Sequence, residues 1–449
     1  MSIIAGVSHL VYSVTPSPRP AGGRRGLALD ILLALIVFCV ALAPRAAVAQ
    51  AYTETPQSEE KLYDRYAWPW AQGLGTEPRE TPFPWHPLGS FTHRPPAYGL
   101  LLGITYRLFG HDFTAARMVQ ALIGALACVL TFLIGRLAAN RWVGLAAGLI
   151  VAQYSFLIGF SARLMSEPLF ILLLLLMVAL LLWARASGRL LVLFAACYVL
   201  GWANLTRGVL LLPFIPLLVV WLWFLPPFRR RFGWTLGIVA LGLLLSIGPV
   251  TLRNYQFHGR FLLISSNGGQ AFYHGIDTIP GLSAPNELPS LDDVKDMKLA
   301  ELDEDGVFRN LKLAYLWRHP GDIVPILNYQ REQFLSAEQG YKISDVVIPT
   351  PEDPIAWPLL LLGGLLSVVL IPGAYQKRAL FYIVILSLVS MDFAFHMETR
   401  FRLPLAPLLA VLSCWAVWSV LALAWRASEK VWTAKETKGR EKREKARPT

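Results

Sequence analysis

Apolar runs of bilayer-crossing length recur along the whole of this 449-residue chain, and nothing else in the sequence restricts its fold as strongly. A transmembrane helix needs about 20 predominantly apolar residues. Runs near that length cover 26–43, 113–135, 142–161, 167–184, 190–205, 208–225, 233–251, 355–373, 379–396 and 403–425. They predict an all-α polytopic membrane protein with about ten transmembrane helices. Composition agrees: 55% of residues are hydrophobic and 16% charged, against about 25% charged in soluble domains.

The Lys and Arg residues orient the bundle. With a cytoplasmic amino terminus, the inner connections hold Arg136 and Arg141, Arg185 and Arg189, Arg229 to Arg231, Lys377 and Arg378, and the carboxy-terminal tail. Only the tail contains acids, so every inner connection follows the positive-inside rule. The formal net charge of +11 is explained in part by residues 426–449, with nine Lys/Arg against four Glu. Such a tail suits anionic lipid headgroups or plain solvation, not nucleic acid. The chain then divides into a cytoplasmic start (1–25), a first crossing (26–43), a first periplasmic loop (44–112), six crossings (113–251), a periplasmic subdomain (252–354), three crossings (355–425) and the tail (426–449). After the first crossing, Ala47-Val48-Ala49-Gln50 resembles a signal-peptidase site; an uncleaved first helix is the preferred reading, and either way residue 51 lies outside. Cys39, Cys128, Cys197 and Cys414 all fall in apolar spans without metal-type spacing, and read as buried thiols.

The two outer loops are too long for connectors. In the first, 59–73 and 95–109 read as helices lying in the interface, rich in aromatics such as Tyr63, Tyr66, Trp68 and Trp70; Trp85 falls between them. Pro95 and Pro96 suit a helix start. In the second, Asn267-Gly268-Gly269 reads as a turn, and 301–319 and 321–337 as amphipathic helices.

With this topology the charged residues sort by side. Inner ends carry simple basic groups. Outer ends carry mixtures: Glu59, Glu60, Asp64, His93, Arg94, Arg163, Glu167, Asn204, Arg207, Arg253, Asn254, Asp392, His396, Glu398, Arg400 and Arg402. Ionisable groups beside hydrocarbon are costly and mark function or paired structure. Arginines prefer phosphate, through a planar fork of charge-assisted bonds, and a carboxylate beside them serves as general base. The combination suits transfer of a sugar from a lipid phosphate at the outer leaflet. Competing structural readings are an Arg163–Glu167 ion pair, a solvated first turn for Glu59 and Glu60, and a surface pair of Asp64 with Arg65. His86, His93 and His396 lack close metal-ligand spacing and read as ordinary polar histidines.

Several motifs give the pattern a family resemblance. They are Glu59-Glu60-Lys61-Leu62-Tyr63 with Ala67, Gly73 and Gly75; Arg94-Pro95-Pro96-Ala97-Tyr98 continuing to Tyr106-Arg107-Leu108-Phe109-Gly110; Ser166-Glu167-Pro168; Leu205-Thr206-Arg207; Arg253-Asn254-Tyr255 with Gly259 and Ser265 to Gly269; and Arg400-Phe401-Arg402-Leu403-Pro404 with Pro407. Each is weak alone, but their order and common side are specific. Together they resemble the GT-C superfamily of integral membrane glycosyltransferases, in particular bacterial members similar to the protein O-mannosyltransferases and the aminoarabinose transferase of lipid A. The resemblance implies a polyprenyl-phosphate sugar donor, an envelope acceptor (lipid, glycan or protein), an inverting transfer at the periplasmic face of a bacterial inner membrane, and a catalytic acid in the first loop. The family places Asp where this chain has Glu59; Glu60 and Asp64 are the alternatives. Arg94, Tyr98, Arg163, Glu167, Arg207, Arg253, Asn254, His396, Glu398, Arg400 and Arg402 are the substrate-binding candidates. No required cofactor is evident, and the resemblance leaves a divalent cation open. The rival readings are a transporter or flippase for a lipid-linked or anionic substrate, which would want inverted repeats that the sequence does not show, and an inactive scaffold for envelope assembly.

Overall fold

The computed structural model describes residues 24–57, 59–73, 92–277, 356–395 and 397–445, and most of 279–336. Every element in them is helical. The longer ones, in order, are α1 (Arg24–Ala51), α2 (Glu59–Ala71), α3 (Pro96–Phe109), α4 (Phe113–Ala138), α5 (Arg141–Ala152), α6 (Glu167–Ser187), α7 (Leu190–Thr206), α8 (Leu211–Trp223) and α9 (Phe232–His258). After α9 come α10 (Gly268–Asp277), α11 (Glu301–Arg318), α12 (Ile323–Leu335), α13 (Ala356–Leu370), α14 (Tyr375–Ala394) and α15 (Leu405–Lys445). Among the described residues, five helices are long and apolar enough to cross a membrane: Arg25–Ala51, Phe113–Ala138, Glu167–Ser187, Phe232–His258 and Leu405–Glu429. Shorter apolar helices, α5, α7, α8 and α13, fill other expected spans.

Local chemistry sets the helix ends. Asp112 caps α4 by accepting from the Thr114 and Ala115 amides, and Asn140 caps α5 through the Trp142 and Val143 amides; such caps satisfy the orphan donors of the first turn. Gly188 and Gly259 end α6 and α9 at φ of 65° and 64°, where a side chain would be strained. The expected span 142–161 is not one helix. α5 stops at Ala152, Gln153 turns the chain, and a short helix Ser155–Gly159 follows. The last carbonyls of α5 are taken by the Arg45 guanidinium (2.8 Å from the Ala152 oxygen, 3.2 Å from Val151).

The main core is a helix bundle in which α4 packs on α1, α5 and α6, and α7 lies between α6 and α9. Small residues allow the closest approaches, as is usual where lipid supplies no hydrophobic drive between helices. A Cβ at Gly144 would stand 2.3 Å from the Phe132 carbonyl of α4, and one at Gly201 would stand 1.7 Å from Ser246 Oγ of α9. A second, smaller core of Tyr273, Ile276, Phe308, Tyr315 and Ile326 holds the α10–α12 subdomain together. Lys312 docks it on the bundle, donating to the carbonyls of Ala394 and Phe395 at the end of α14 (3.2 Å each).

The two ends of the bundle differ in charge. At one end Asp30 meets Arg136 (2.6 Å) and Arg141 (3.4 Å), and Lys377 donates to the last carbonyls of α4. At the other end α2, the start of α6, the end of α7 and the 398–402 turn converge, and there the carboxylates gather.

Candidate active site

Glu59 is the first residue of α2, and its carboxylate bridges two arginines from distant parts of the chain. Oε1 accepts from Arg94 at 2.8 Å, and Oε2 from Arg400 at 2.5 Å. Arg400 also meets Glu398 (2.6 Å) and lies 3.8 Å from Glu167. Glu167, at the first turn of α6, takes Arg207 from the end of α7 at 2.6 Å. Three carboxylates and three guanidiniums therefore share one pocket of six residues. Arg207 and Arg400 both stack on the Phe401 ring, with centroid distances of 4.8 and 5.1 Å, which fixes their planes.

Burial alone would push the Glu59 carboxyl up, but the charges of Arg94 and Arg400 and the Arg400 hydrogen bond outweigh it and hold the group down at about 2. Glu59 is thus ionised at any physiological pH, and both its oxygens are engaged.

The other carboxylates of the first loop do different work. Glu60 is fully buried. It accepts from Arg163 Nε (2.9 Å), the Leu164 amide (2.8 Å) and the Gln57 amide (3.3 Å), so it pins α2 to the segment before α6. Arg163, a substrate-binding candidate from sequence with a Glu167 ion pair as the competing reading, meets Glu60. Tyr98 is buried against Tyr63 and donates to Gln120 at 2.6 Å; Gln120 in turn donates to the Arg163 carbonyl. Asp64, one turn along α2, accepts from Tyr106 (2.8 Å) and pairs with His111 (2.7 Å), whose ring stacks on Trp68 at 4.4 Å. Through these contacts Asp64 ties α2 to the end of α3.

Two more candidates donate to backbone carbonyls, and a third lies beside one of them. Arg402 is fully buried and donates to the carbonyls of Phe334 (3.0 Å) and Ser336 while lying over the Trp357 ring. Those contacts direct it to the ends of α12 and α13, away from the Glu59 cluster that its neighbour Arg400 joins. Asn254 likewise donates to Leu262 and Ile264 carbonyls, closing the turn after α9. Arg253 is half-buried beside it. His396, Gly75, Trp85 and His86 lie outside the described residues. Among the described residues, no three of His, Cys, Asp and Glu gather to hold a metal ion.

Two buried arginines escaped the sequence reading. Arg117 of α4 donates to carbonyls of Ala162 (3.0 Å), Tyr52 (2.7 Å) and Glu54, holding the chain that leads into α2. Arg45 lies within α1, 1% exposed. A lone arginine inside an apolar run was the available signal for Arg117.

Comparison with known proteins shows what the fold is similar to, and a family model matches part of the chain. Residues 93–250 match the family described as dolichyl-phosphate-mannose-protein mannosyltransferase, a stretch that holds Arg94, Glu167 and Arg207 but neither Glu59 nor Arg400. The archaeal oligosaccharyltransferase AglB from Archaeoglobus fulgidus, solved with an inhibitory peptide and a dolichol-phosphate, superposes with a TM-score of 0.55 at 15% identity, over 90% of this chain and 52% of that one. The same enzyme with zinc and sulfate gives 0.55 at 15% identity, over 90% and 51%. This chain therefore spans about half the length of AglB. ArnT from Cupriavidus metallidurans bound to undecaprenyl phosphate is 16% identical over 88% of this chain and 78% of that one, but with a TM-score of 0.38, too loose a superposition to bear on the fold. No curated protein matches the sequence.

Proposed function

We propose that this protein is a membrane glycosyltransferase that moves a sugar from a polyprenyl-phosphate donor to an envelope acceptor, with inversion, at the periplasmic face of a bacterial inner membrane. The observation that carries this reading is the convergence of Arg94, Arg207 and Arg400 on Glu59 and Glu167 at the end of the bundle opposite the basic connections. The donor phosphate takes the guanidiniums in place of the carboxylates that hold them in the unliganded protein, since arginine binds phosphate through the same bidentate fork. Glu59, released from part of that clamp, becomes more basic and receives the proton of the acceptor hydroxyl. As that oxygen bonds to the anomeric carbon, the bond from the sugar to the phosphate oxygen breaks. The electron pair leaves with the lipid phosphate, where the arginines stabilise the charge. Phosphate leaves without protonation, so no second carboxylic acid is required, in contrast to glycoside hydrolysis.

Among the first-loop carboxylates we assign the base to Glu59, because its partners Arg94 and Arg400 are the groups a donor phosphate would take, whereas Glu60 is fully buried on Arg163 and Asp64 is tied to Tyr106 and His111. The test is transfer by purified protein in liposomes from a panel of polyprenyl-phosphate hexoses and pentoses; transfer from none of them, together with no binding of polyprenyl phosphate itself, refutes the reading.

A further inference from the structure

We propose that Arg45 is a positioning residue for Glu167, acting through a water molecule held in a cavity between α1, α4 and α6. The consequence for lipid phosphate rests on the function proposed above; the water site itself does not.

Arg45 does more than cap. Its Nη1 donates to the carbonyls of Ala41 (2.9 Å) and Ala152 (2.8 Å), and its Nη2 to Val151 (3.2 Å). Those bonds use the far edge of the guanidinium to close the end of α5. The remaining donor, Nε–H, is buried and has no partner. It faces Gly124 of α4, where a Cβ would stand 3.0 Å from Nε and 3.5 Å from Ser161 Oγ. Beside them lies a cavity of about 20 Å³, lined among others by Arg45, Gly124, Ser161 and Glu167. Glu167 Oε2 is also buried without a partner, because Arg207 takes Oε1.

A buried water needs roughly 10–15 Å³ and two to four polar partners. This cavity offers that volume, a donor in Arg45 Nε–H, an acceptor in Glu167 Oε2 and the Ser161 hydroxyl. A water here accepts from Arg45 and donates to Glu167, satisfying both orphaned groups. It also fixes the back oxygen of the carboxylate whose front oxygen holds Arg207 at 2.6 Å and lies 3.8 Å from Arg400. The first helix thereby takes part in aligning two of the three phosphate-binding arginines.

The test has two arms on the full chain in lipid nanodiscs. A density map at about 2 Å resolution is expected to show a water within hydrogen-bond reach of Arg45 Nε and Glu167 Oε2, at the usual ~2.7–3.2 Å. A cavity without that density overturns the proposal whether or not the protein is a glycosyltransferase. In the second arm, Gly124→Ala and Gly124→Ser place the same Cβ beside Arg45, but only serine returns a hydroxyl where the water stood. Binding of sugar-free polyprenyl phosphate is expected to weaken about tenfold in Gly124→Ala and to recover to within about threefold of the parent in Gly124→Ser. Equal affinities in the two variants overturn the positioning role. Failure of the unaltered protein to bind polyprenyl phosphate would instead count against the proposed function, and the map would still decide the water.

Discussion

Replacing Glu59 by glutamine separates a base from a structural clamp, because the two roles move binding and turnover in opposite directions. The substitution keeps size and removes charge. Glu59 takes Arg94 at 2.8 Å and Arg400 at 2.5 Å, and its carboxyl is held from 4.5 down to about 2. At about 1.4 kcal/mol per tenfold, that corresponds to roughly 3 kcal/mol favouring the ionised group. A donor phosphate has to compete with that interaction for the same guanidiniums. In Glu59→Gln the competition falls, and allowing for partial exposure of Arg94 a gain of about 2 kcal/mol is expected, or roughly 30-fold tighter binding of polyprenyl phosphate. Turnover should fall at the same time, by about 10²–10⁴, the usual worth of a general base. The assay is polyprenyl-phosphate binding by native mass spectrometry beside sugar transfer in liposomes. Turnover within twofold of the parent, or weaker phosphate binding in Glu59→Gln, would refute the assignment.

Other outcomes follow from the same contacts. Glu60→Gln breaks a buried pair with Arg163 and should lower stability by about 3 kcal/mol or more, seen as a lower unfolding midpoint in detergent; an unchanged midpoint would contradict the anchoring role. Because the Glu59 carboxyl is depressed in the folded protein, its contribution to stability is complete above about pH 4.5 and disappears as pH falls toward 2; unfolding midpoints of the parent and Glu59→Gln should therefore converge in that window and differ by a constant amount from pH 5 to 8. A Cβ at Gly275 would stand 1.7 Å from the Phe395 carbonyl, so Gly275→Ala should loosen the α10–α12 subdomain, measured as faster hydrogen exchange in α10. Chelation with EDTA should leave polyprenyl-phosphate binding unchanged, since every carboxylate in the cluster already faces a guanidinium.

How much of this was legible in the sequence depended on whether a signal was local. The helix start at Pro95-Pro96 was local, and the helices Glu59–Ala71, Pro96–Phe109, Glu301–Arg318 and Ile323–Leu335 lie close to where the sequence pattern placed them, whereas α10 begins at Gly268, inside the stretch read as a turn. The collection of charged residues at one end followed from topology, because lipid confines ionisable groups to the helix ends. Pairing did not follow. Glu60 and Arg163 are 103 positions apart, and Glu59 and Arg400 are 341 apart; only packing decides that Arg163 goes to Glu60 and leaves Glu167 to Arg207. Side-chain direction was equally hidden for Arg400 and Arg402. Two residues apart on one tight turn, they look alike in sequence, yet one meets three carboxylates and the other caps α12. Arg45 was masked by its setting beside a signal-peptidase-like motif, where a basic residue draws no notice.

The account rests on the lipid phosphate meeting guanidiniums that are already gathered, and a structure of the protein with polyprenyl phosphate bound tests this most directly. The expected result has the phosphate within about 3 Å of Arg94, Arg207 and Arg400, with Glu59 turned away from at least one of them. A phosphate seated elsewhere, with the Glu59 clamp on Arg94 and Arg400 intact, would contradict it.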